Sequence, residues 1–260
     1  MGRSLVLALS KRGCEVAASD IDEAGLAETQ RLAAGHARVT ARRLDVANGA
    51  DVRAWAREVV RDHGRVNLVF NNAGIAFGST VQDADEADFR RLMEINFWGV
   101  VHGTQAFLPL LEASGDGHVV NVSSVFGLIA FPGHSAYNAA KFAVRGYTES
   151  LRIELDMLGS PVTATCVHPG GVKTNIARSS KVHPSLTKLG VKLETASAKM
   201  EEMFKLSAEE AAEQILRGVA KNARRVLVGG DAWFIDRMQR WLPEGYQRLV
   251  AGAARRRLSS

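Results

Sequence analysis

Tyr137 and Lys141 stand four residues apart in a stretch, residues 135–158, whose apolar spacing predicts a helix, so the two side chains emerge one turn apart on one face. A phenol with a pKa near 10 is a poor acid or base at neutral pH unless a cation stabilises its phenolate, and an ammonium one turn along is such a cation. The pair therefore has the makings of a proton-transfer group. Three Tyr and nine Lys in 260 residues make this spacing uncommon by chance, but the pair alone specifies no reaction. Its setting must do that.

The setting is an alternation of short apolar runs with helical patterns. Residues 14–19, 37–44, 66–70, 117–122, 161–167 and 225–228 read as strands, and 23–34, 50–63, 85–113, 135–158 and 208–222 as helices. Runs such as Val-Asn-Leu-Val-Phe at 66–70 and His-Val-Val-Asn-Val at 118–122 lack a polar face, as strands covered on both sides of a parallel sheet do. The repeat predicts an α/β fold, a doubly wound parallel sheet in one domain over residues 1–230. Ligands of such sheets lie beyond the carboxyl ends of the strands. Asp20, Asp45, Asn71-Asn72-Ala73-Gly74, Ser123-Ser124 and Pro169-Gly170-Gly171 stand at those ends. Asp, Asn and Gly end strands for turn reasons alone, yet five such ends in register favour a binding edge.

Composition narrows the classes. With 46% hydrophobic and 23% charged residues, the chain is neither disordered nor multispanning. The net charge of +5 lies entirely in residues 237–260, where Arg237, Arg240, Arg248, Arg255, Arg256 and Arg257 face Glu244 alone. A basic face within the fold is not indicated, and no aromatic and basic residues interleave in the manner of a nucleic-acid site, so no nucleic-acid partner is expected. Cys14 and Cys166 have neither metal-ligand nor redox spacing, which fits a reducing cytoplasm and no metal. The apolar run near the start, Leu5 to Ser10, is too short for a signal-peptide core, and no run approaches the ~20 residues of a membrane span. A cytoplasmic protein is expected.

Two stretches break the rhythm. Residues 175–206 are polar and Lys-dotted, with Pro184 and Gly190, and follow a strand end, which predicts a mobile lid. There Lys181, Lys188, Lys192 and Lys199 alternate with Val182, Leu186, Leu189, Val191, Leu193 and Met200, and the Lys side chains are expected to face solvent. This mixture excludes few substrates. Residues 231–260 form an amphipathic, Arg-rich extension. Its stripe of Trp233, Phe234, Ile235, Met238, Trp241 and Leu242 is expected to pack on the body or on another subunit and not on a membrane.

Taken together these residues resemble the short-chain dehydrogenases/reductases. Tyr137-Asn-Ala-Ala-Lys141 is similar to that family's Tyr-x-x-x-Lys signature, and Ser124 lies 13 residues upstream of Tyr137, as the family's catalytic Ser does. Asn71-Asn72-Ala73-Gly74, Asn96 within Glu-Ile-Asn-Phe-Trp-Gly, and Pro169-Gly-Gly-Val-Lys-Thr174 resemble three further motifs, in the family's order, across about residues 2 to 230. The resemblance implies a Rossmann-type fold and hydride transfer between a nicotinamide cofactor and a secondary alcohol or ketone. It implies that Tyr137 trades the proton with the substrate oxygen and Ser124 hydrogen-bonds that oxygen. Lys141 would lower the phenol pKa and hold the nicotinamide ribose, and Asn96 would support a water chain to Lys141. Asn72 and Thr174 would flank the cofactor, and Asp45 and Val46 would meet its adenine. His134 and His168 are left with structural roles.

Asp20 decides the cofactor. A carboxylate there accepts hydrogen bonds from a ribose 2′-hydroxyl and repels a 2′-phosphate, so NAD(H) is preferred, while Arg3 nearby keeps NADP(H) open. The family also implies a homodimer or homotetramer packed through the helices at 85–113 and 135–158. The chain departs from the family at its start. The Gly-rich turn that receives a pyrophosphate is represented by Gly2 alone, and the strand before it, expected between those at 14–19 and 66–70, is absent. Unpaired strand edges cost about 1–3 kcal/mol per buried group. Met1 is therefore expected to be an internal methionine with about 20 residues upstream, the length of one strand and turn. A non-catalytic dinucleotide-binding or regulatory protein of the same fold, or a truncated inactive product, is the alternative reading.

Overall fold

The computed structural model describes residues 1–176, 180–194, 198, 202 and 204–258. In chain order they form α1 (Gly2–Lys11), β1 (Val16–Asp20), α2 (Glu23–Leu32), β2 (Val39–Arg43), α3 (Gly49–His63), β3 (Leu68–Asn71), β4 (Phe77–Gly78), α4 (Glu86–Met93), a π turn (Glu94–Trp98) and α5 (Gly99–Ala113). Then follow β5 (Gly117–Val122), a 3₁₀ turn (Val125–Gly127), α6 (Ser135–Met157), β6 (Val162–Pro169), β7 (Lys181–Val182), a second 3₁₀ turn (Pro184–Leu189), α7 (Ala208–Ala220), β8 (Arg225–Val228), α8 (Gly230–Trp241) and α9 (Tyr246–Leu258).

Successive residues of a strand point to opposite faces, and in β5 this places Val119 and Val120 in two different cores, both fully buried. Val119 packs with Val162 and Ala164 of β6 against Ala56 and Val59 of α3, Phe107 and Leu111 of α5, and Leu151 and Leu155 of α6. Val120 packs with Val167 and Val226 against Leu5 of α1 and Ala211, Ala212 and Ile215 of α7. Burying each such side chain is worth about 1.5–3 kcal/mol. The parallel, doubly covered sheet expected from the apolar runs is thus present, in the order β3-β5-β6-β8. The helices start where their caps lie: Asp22, Asn48 and Asp85 accept from the first-turn N–H groups of α2, α3 and α4, and Ser207 and Glu210 form a capping box on α7.

β1 and β2 pair in parallel, Val16 opposite Val39 through Asp20 opposite Arg43, as a separate sheet. Among the described residues no ladder joins β1 to β3, and no strand of this chain lies between them. Their second edges are therefore unpaired. Val16–Ser19 and Leu68–Asn71 are only half-buried although their sequences suit full burial, and both strands line one cavity of about 2840 Å³.

Three further features differ from the sequence expectation. The helix predicted over 85–113 is interrupted by the π turn, which the run Ile95-Asn96-Phe97-Trp98-Gly99-Val100-Val101 conceals because Asn96 is its one polar residue and marks no polar face whose phase could change. The lid is not without structure: β7 pairs with β4, the 3₁₀ turn packs Leu186 inward, and a bridge from Val172 to Leu206 ties the two ends together. Lys199 and Met200 lie outside the described residues. Finally, the stripe on α8 does not pack as a unit. The helix meets the body through buried Ala232 and Asp236, which leaves Ile235 and Met238 half-buried and Trp233, Phe234, Trp241 and Leu242 exposed. Asp236 accepts from Arg225 and Arg240, each at 2.8 Å, and Arg225 also reaches Glu149 of α6. Burial raises the Asp236 pKa, but the two guanidiniums outweigh it and hold the carboxyl below its ordinary range. α9 returns to the body at Tyr246, whose hydroxyl oxygen accepts from Ala130 N at 3.3 Å. No described helix is long and apolar enough to cross a membrane.

Candidate active site

Ser124 ends the segment that follows β5 and caps the 3₁₀ turn, with Phe126 N donating to its Oγ at 3.1 Å. That turn lies directly on α6. A Cβ on Gly127 would sit 2.6 Å from the Lys141 carbonyl oxygen and 2.3 Å from Ser123 Oγ, so only glycine allows the approach. Ser123 Oγ completes the seam by donating to the Lys141 carbonyl at 2.8 Å. The close packing brings Ser124 within hydrogen-bond reach of the Tyr137 phenol in the first turn of α6. Phe126 meets the Tyr137 ring edge to face at 6.1 Å.

Lys141 lies one turn further on, buried, with Nζ donating to Val122 O at 2.9 Å and standing 5.6 Å from the Tyr137 ring centroid. Burial lowers its pKa to about 8. The expectation that Lys141 lowers the phenol pKa does not hold for the chain by itself: burial pushes Tyr137 up to about 12, with the Ser124 hydrogen bond opposing. The ammonium is turned onto the Val122 carbonyl and its own charge is disfavoured by burial, so it does little for a phenolate.

Asn96 sits fully buried in the π turn, where its amide clamps the backbone of Ile75 by accepting from Ile75 N and donating to Ile75 O, both at 2.8 Å. It does not line the cavity. Its contact with the Lys141 region runs through Gly74, where a Cβ would stand 3.3 Å from Asn96 Oδ1 and 3.6 Å from Lys141 Nζ. π turns often accompany functional sites because they reset which side chains face inward.

The other residues singled out in the sequence line the same cavity as Ser124, Tyr137 and Lys141: Gly2, Asp20, Asp45, Val46, Asn72 and Thr174. Gly2 opens α1 against Asn72, where a Cβ would lie 2.8 Å from Asn72 Nδ2 and push that side chain aside. A helix N-terminus brought this close to the ends of β1 and β3 offers N–H groups to a phosphate. Asp20 is exposed at the end of β1, its Oδ1 accepting from Asp22 N. Arg3 donates to Thr29 Oγ1 and Gly25 O of α2. Asp45 Oδ1 accepts from Ala47 N, and the Val46 carbonyl meets His102 Nδ1 at 3.0 Å. These residues fit a dinucleotide, with a carboxylate and apolar wall at one end and the Ser-Tyr-Lys group at the other.

Two residues that the sequence did not mark hold the site in place. Asp231, at the start of α8, accepts from Gly171 N at 2.7 Å and so fixes the Pro169-Gly170-Gly171 turn from a position 60 residues away. Asn138 donates to Phe131 O at 2.9 Å, steadying the segment that enters α6. Neither carries a local signal, because each partner is brought by the fold. The two histidines are neutral. His168 is buried with its pKa lowered to about 4, so Nδ1 carries the proton it donates to the Ser124 carbonyl at 2.9 Å. Burial also lowers the His134 pKa.

The cavity that holds Tyr137 also has apolar walls. Phe126 and Phe131 stack at 5.3 Å, Leu186 and Leu189 reach in from the lid beside Gly133, and Ile235 and Met238 come from α8. Two of the lid ammonium groups pair with acids of the body, Lys181 with Asp88 and Lys188 with Asp83, whereas Lys192 is among the residues lining the cavity.

Comparison with known proteins agrees with this geometry. Residues 1–184 match the short chain dehydrogenase family. The chain is 50% identical over 253 residues to the putative oxidoreductase SadH of Mycobacterium tuberculosis, covering 96% of this chain and 90% of that protein. Among solved structures, it resembles a short chain dehydrogenase/reductase from Burkholderia phymatum in complex with NAD, with a TM-score of 0.85 and 28% identity over 94% of this chain and 90% of that one. A short-chain dehydrogenase from Streptomyces avermitilis gives a TM-score of 0.79 at 27% identity, covering 95% of this chain and 92% of the other.

Proposed function

Because this chain belongs to the short-chain dehydrogenase family and is an NAD(P)-dependent oxidoreductase, we propose that it acts on a lipophilic secondary alcohol or ketone, with NAD(H) as the preferred cofactor and Tyr137 as the proton donor and acceptor. The observation that carries this reading is the Ser124–Tyr137–Lys141 group sharing one cavity with the residues expected at the cofactor and with apolar side chains. A bound nicotinamide supplies or accepts the hydride.

The chain's residues do the remainder. Ser124 holds the substrate oxygen beside the Tyr137 hydroxyl, so that the phenol proton passes to that oxygen in reduction and returns in oxidation. Lys141 holds the ribose next to the reacting ring, and in the closed complex its ammonium offsets negative charge on the phenolate. Asn96 positions Gly74 and Ile75 behind Lys141. Asp20 receives the adenosine ribose, Asp45 and Val46 border the adenine, Asn72 and Thr174 flank the nicotinamide half, and Gly2 with the α1 N-terminus meets the pyrophosphate.

A panel of 2-alkanols and 2-alkanones, followed by cofactor absorbance, tests the substrate class. kcat/KM is expected to rise about three- to fourfold per added methylene until the apolar wall is filled, and a carboxylate at the chain end is expected to remove that gain. A flat series contradicts a lipophilic substrate. The second reading is a dinucleotide-binding protein of the same fold without turnover. Cofactor binding with no absorbance change across the whole panel would establish it. Cofactor choice has its own test. Asp20→Ser removes the charge that repels a 2′-phosphate, and the ratio of kcat/KM for NADP(H) over NAD(H) is expected to rise on the order of tenfold or more. An unchanged ratio would remove Asp20 from the ribose site.

A further inference from the structure

The geometry points to a docking surface for an anionic lipid bilayer, formed by the outer face of α8 and the start of α9 beside the mouth of the cleft. At 100° per residue, Trp233, Phe234, Arg237 and Trp241 fall within an arc of about 100° on α8. The three aromatic side chains on that arc are 56%, 63% and 80% exposed, and Leu242 and Leu249 continue the apolar surface beyond the helix. Arg237 lies over the Trp233 ring at 5.1 Å. The face is held outward by the opposite side of the helix, where Ala232 is buried and Asp236 is clamped between Arg225 and Arg240.

Two properties select the partner. Indole rings interspersed with guanidinium groups suit the headgroup layer, where the ring is half-dehydrated and the cation stays wet. The charge that suits an anionic surface comes from Arg237 and Arg248 beside the aromatic residues and from the Arg255-Arg256-Arg257 run that follows in the sequence, since Arg240 is taken up by Asp236 and Asp231 is turned to the Gly171 N–H. A second copy of this chain seated symmetrically on the face would set two such segments of like charge against each other. The exposed Phe142, Ile153 and Met157 of α6 offer a different apolar face for self-association. The position is also suited to a lipophilic substrate, because Phe234 and Leu249 belong to the exposed surface and to the cavity lining at once.

The test is co-sedimentation of the full chain with large vesicles, read together with tryptophan emission. Partition into vesicles containing phosphatidylglycerol is expected to exceed that into pure phosphatidylcholine at least tenfold, since each basic residue near an anionic surface adds about fivefold. It is expected to fall in high salt, and emission is expected to shift to the blue. Trp233→Ala with Trp241→Ala is expected to lower partition at least tenfold and abolish the shift, whereas Trp98→Ala, at an exposed tryptophan outside this face, leaves both unchanged. Arg237→Glu with Arg248→Glu is expected to erase the preference for anionic lipid. Equal partition of the unmodified chain into both vesicle types, or none into either, overturns the proposal whatever the variants do. So does a double tryptophan variant that partitions normally but has a smaller mass by light scattering, which would assign the face to a second copy.

Discussion

Tyr137→Phe is expected to lower turnover by between about a hundredfold and ten-thousandfold, the range of a lost general acid or base. The groups around the phenol are poor substitutes, with the Lys141 ammonium engaged by the Val122 carbonyl. Ser124 is a weak acid, His134 is held neutral by burial, and His168 gives its proton to a backbone carbonyl. The fold is expected to persist, with stability at neutral pH altered by about 1 kcal/mol or less, because the change removes one hydroxyl and no charge. The two proteins should separate only in alkali. With the phenol raised to about 12 in the folded chain and near 10 when unfolded, the folded state retains the proton longer. The parent therefore loses stability relative to Tyr137→Phe as pH climbs from about 10 to about 12. Single-turnover rates and melting curves at several pH values check both halves. Normal turnover with the ring alone would remove Tyr137 from the chemistry.

Lys141→Met is expected to raise thermal stability while lowering kcat/KM by about a hundredfold or more. Burial takes the Lys141 pKa from 10.5 to about 8, and that drop corresponds to about 3 kcal/mol held against the folded state at neutral pH. Part of the gain is offset by the Val122 carbonyl, which loses its donor at 2.9 Å, so a net stabilisation of about 1–3 kcal/mol is expected. The sign with pH follows from the lowered pKa. Between about 8 and 10.5 the unfolded chain binds the extra proton and the folded chain does not, so parent stability rises with pH across that window. The advantage of Lys141→Met should accordingly be full below about pH 8 and fade above it. A destabilised methionine variant would mean that the buried amine serves packing. A buried cation retained against stability is the signature of a group kept for function.

Much of this architecture was legible because period-two burial and helix caps are local. The run at 117–122 is doubly buried since Val119 and Val120 need two cores, and Asp22, Asn48 and Asp85 mark the starts of their helices. The Tyr137–Lys141 pair was legible because one helical turn fixes it, and Ser124 joined it through the family resemblance. What the sequence did not disclose depends on distant partners. The two-residue strands β4 and β7 exist only through each other. The π turn hides in a run with no polar face, and Asp231 finds the Gly171 N–H across 60 residues. The phenol pKa was expected low from the nearby ammonium but is raised, because desolvation acts from every side and no residue spacing reports it. Lys181 and Lys188 of the lid could be assigned only once Asp88 and Asp83 were seen to receive them. The aromatic stripe was expected to pack on the body or on another subunit, and within the chain it is Ala232 and Asp236 that pack.

The central claim is that this cleft moves a hydride between nicotinamide and a carbinol carbon while Tyr137 moves the proton. Its most direct test is reduction of a long-chain 2-alkanone with NADH carrying deuterium at both C4 positions, with the alcohol analysed by mass spectrometry. The account predicts one deuterium on the carbinol carbon from the parent protein and almost none formed in the same time by Tyr137→Phe. Alcohol formed without deuterium at that carbon, or labelled alcohol formed equally fast by the Phe variant, would contradict it.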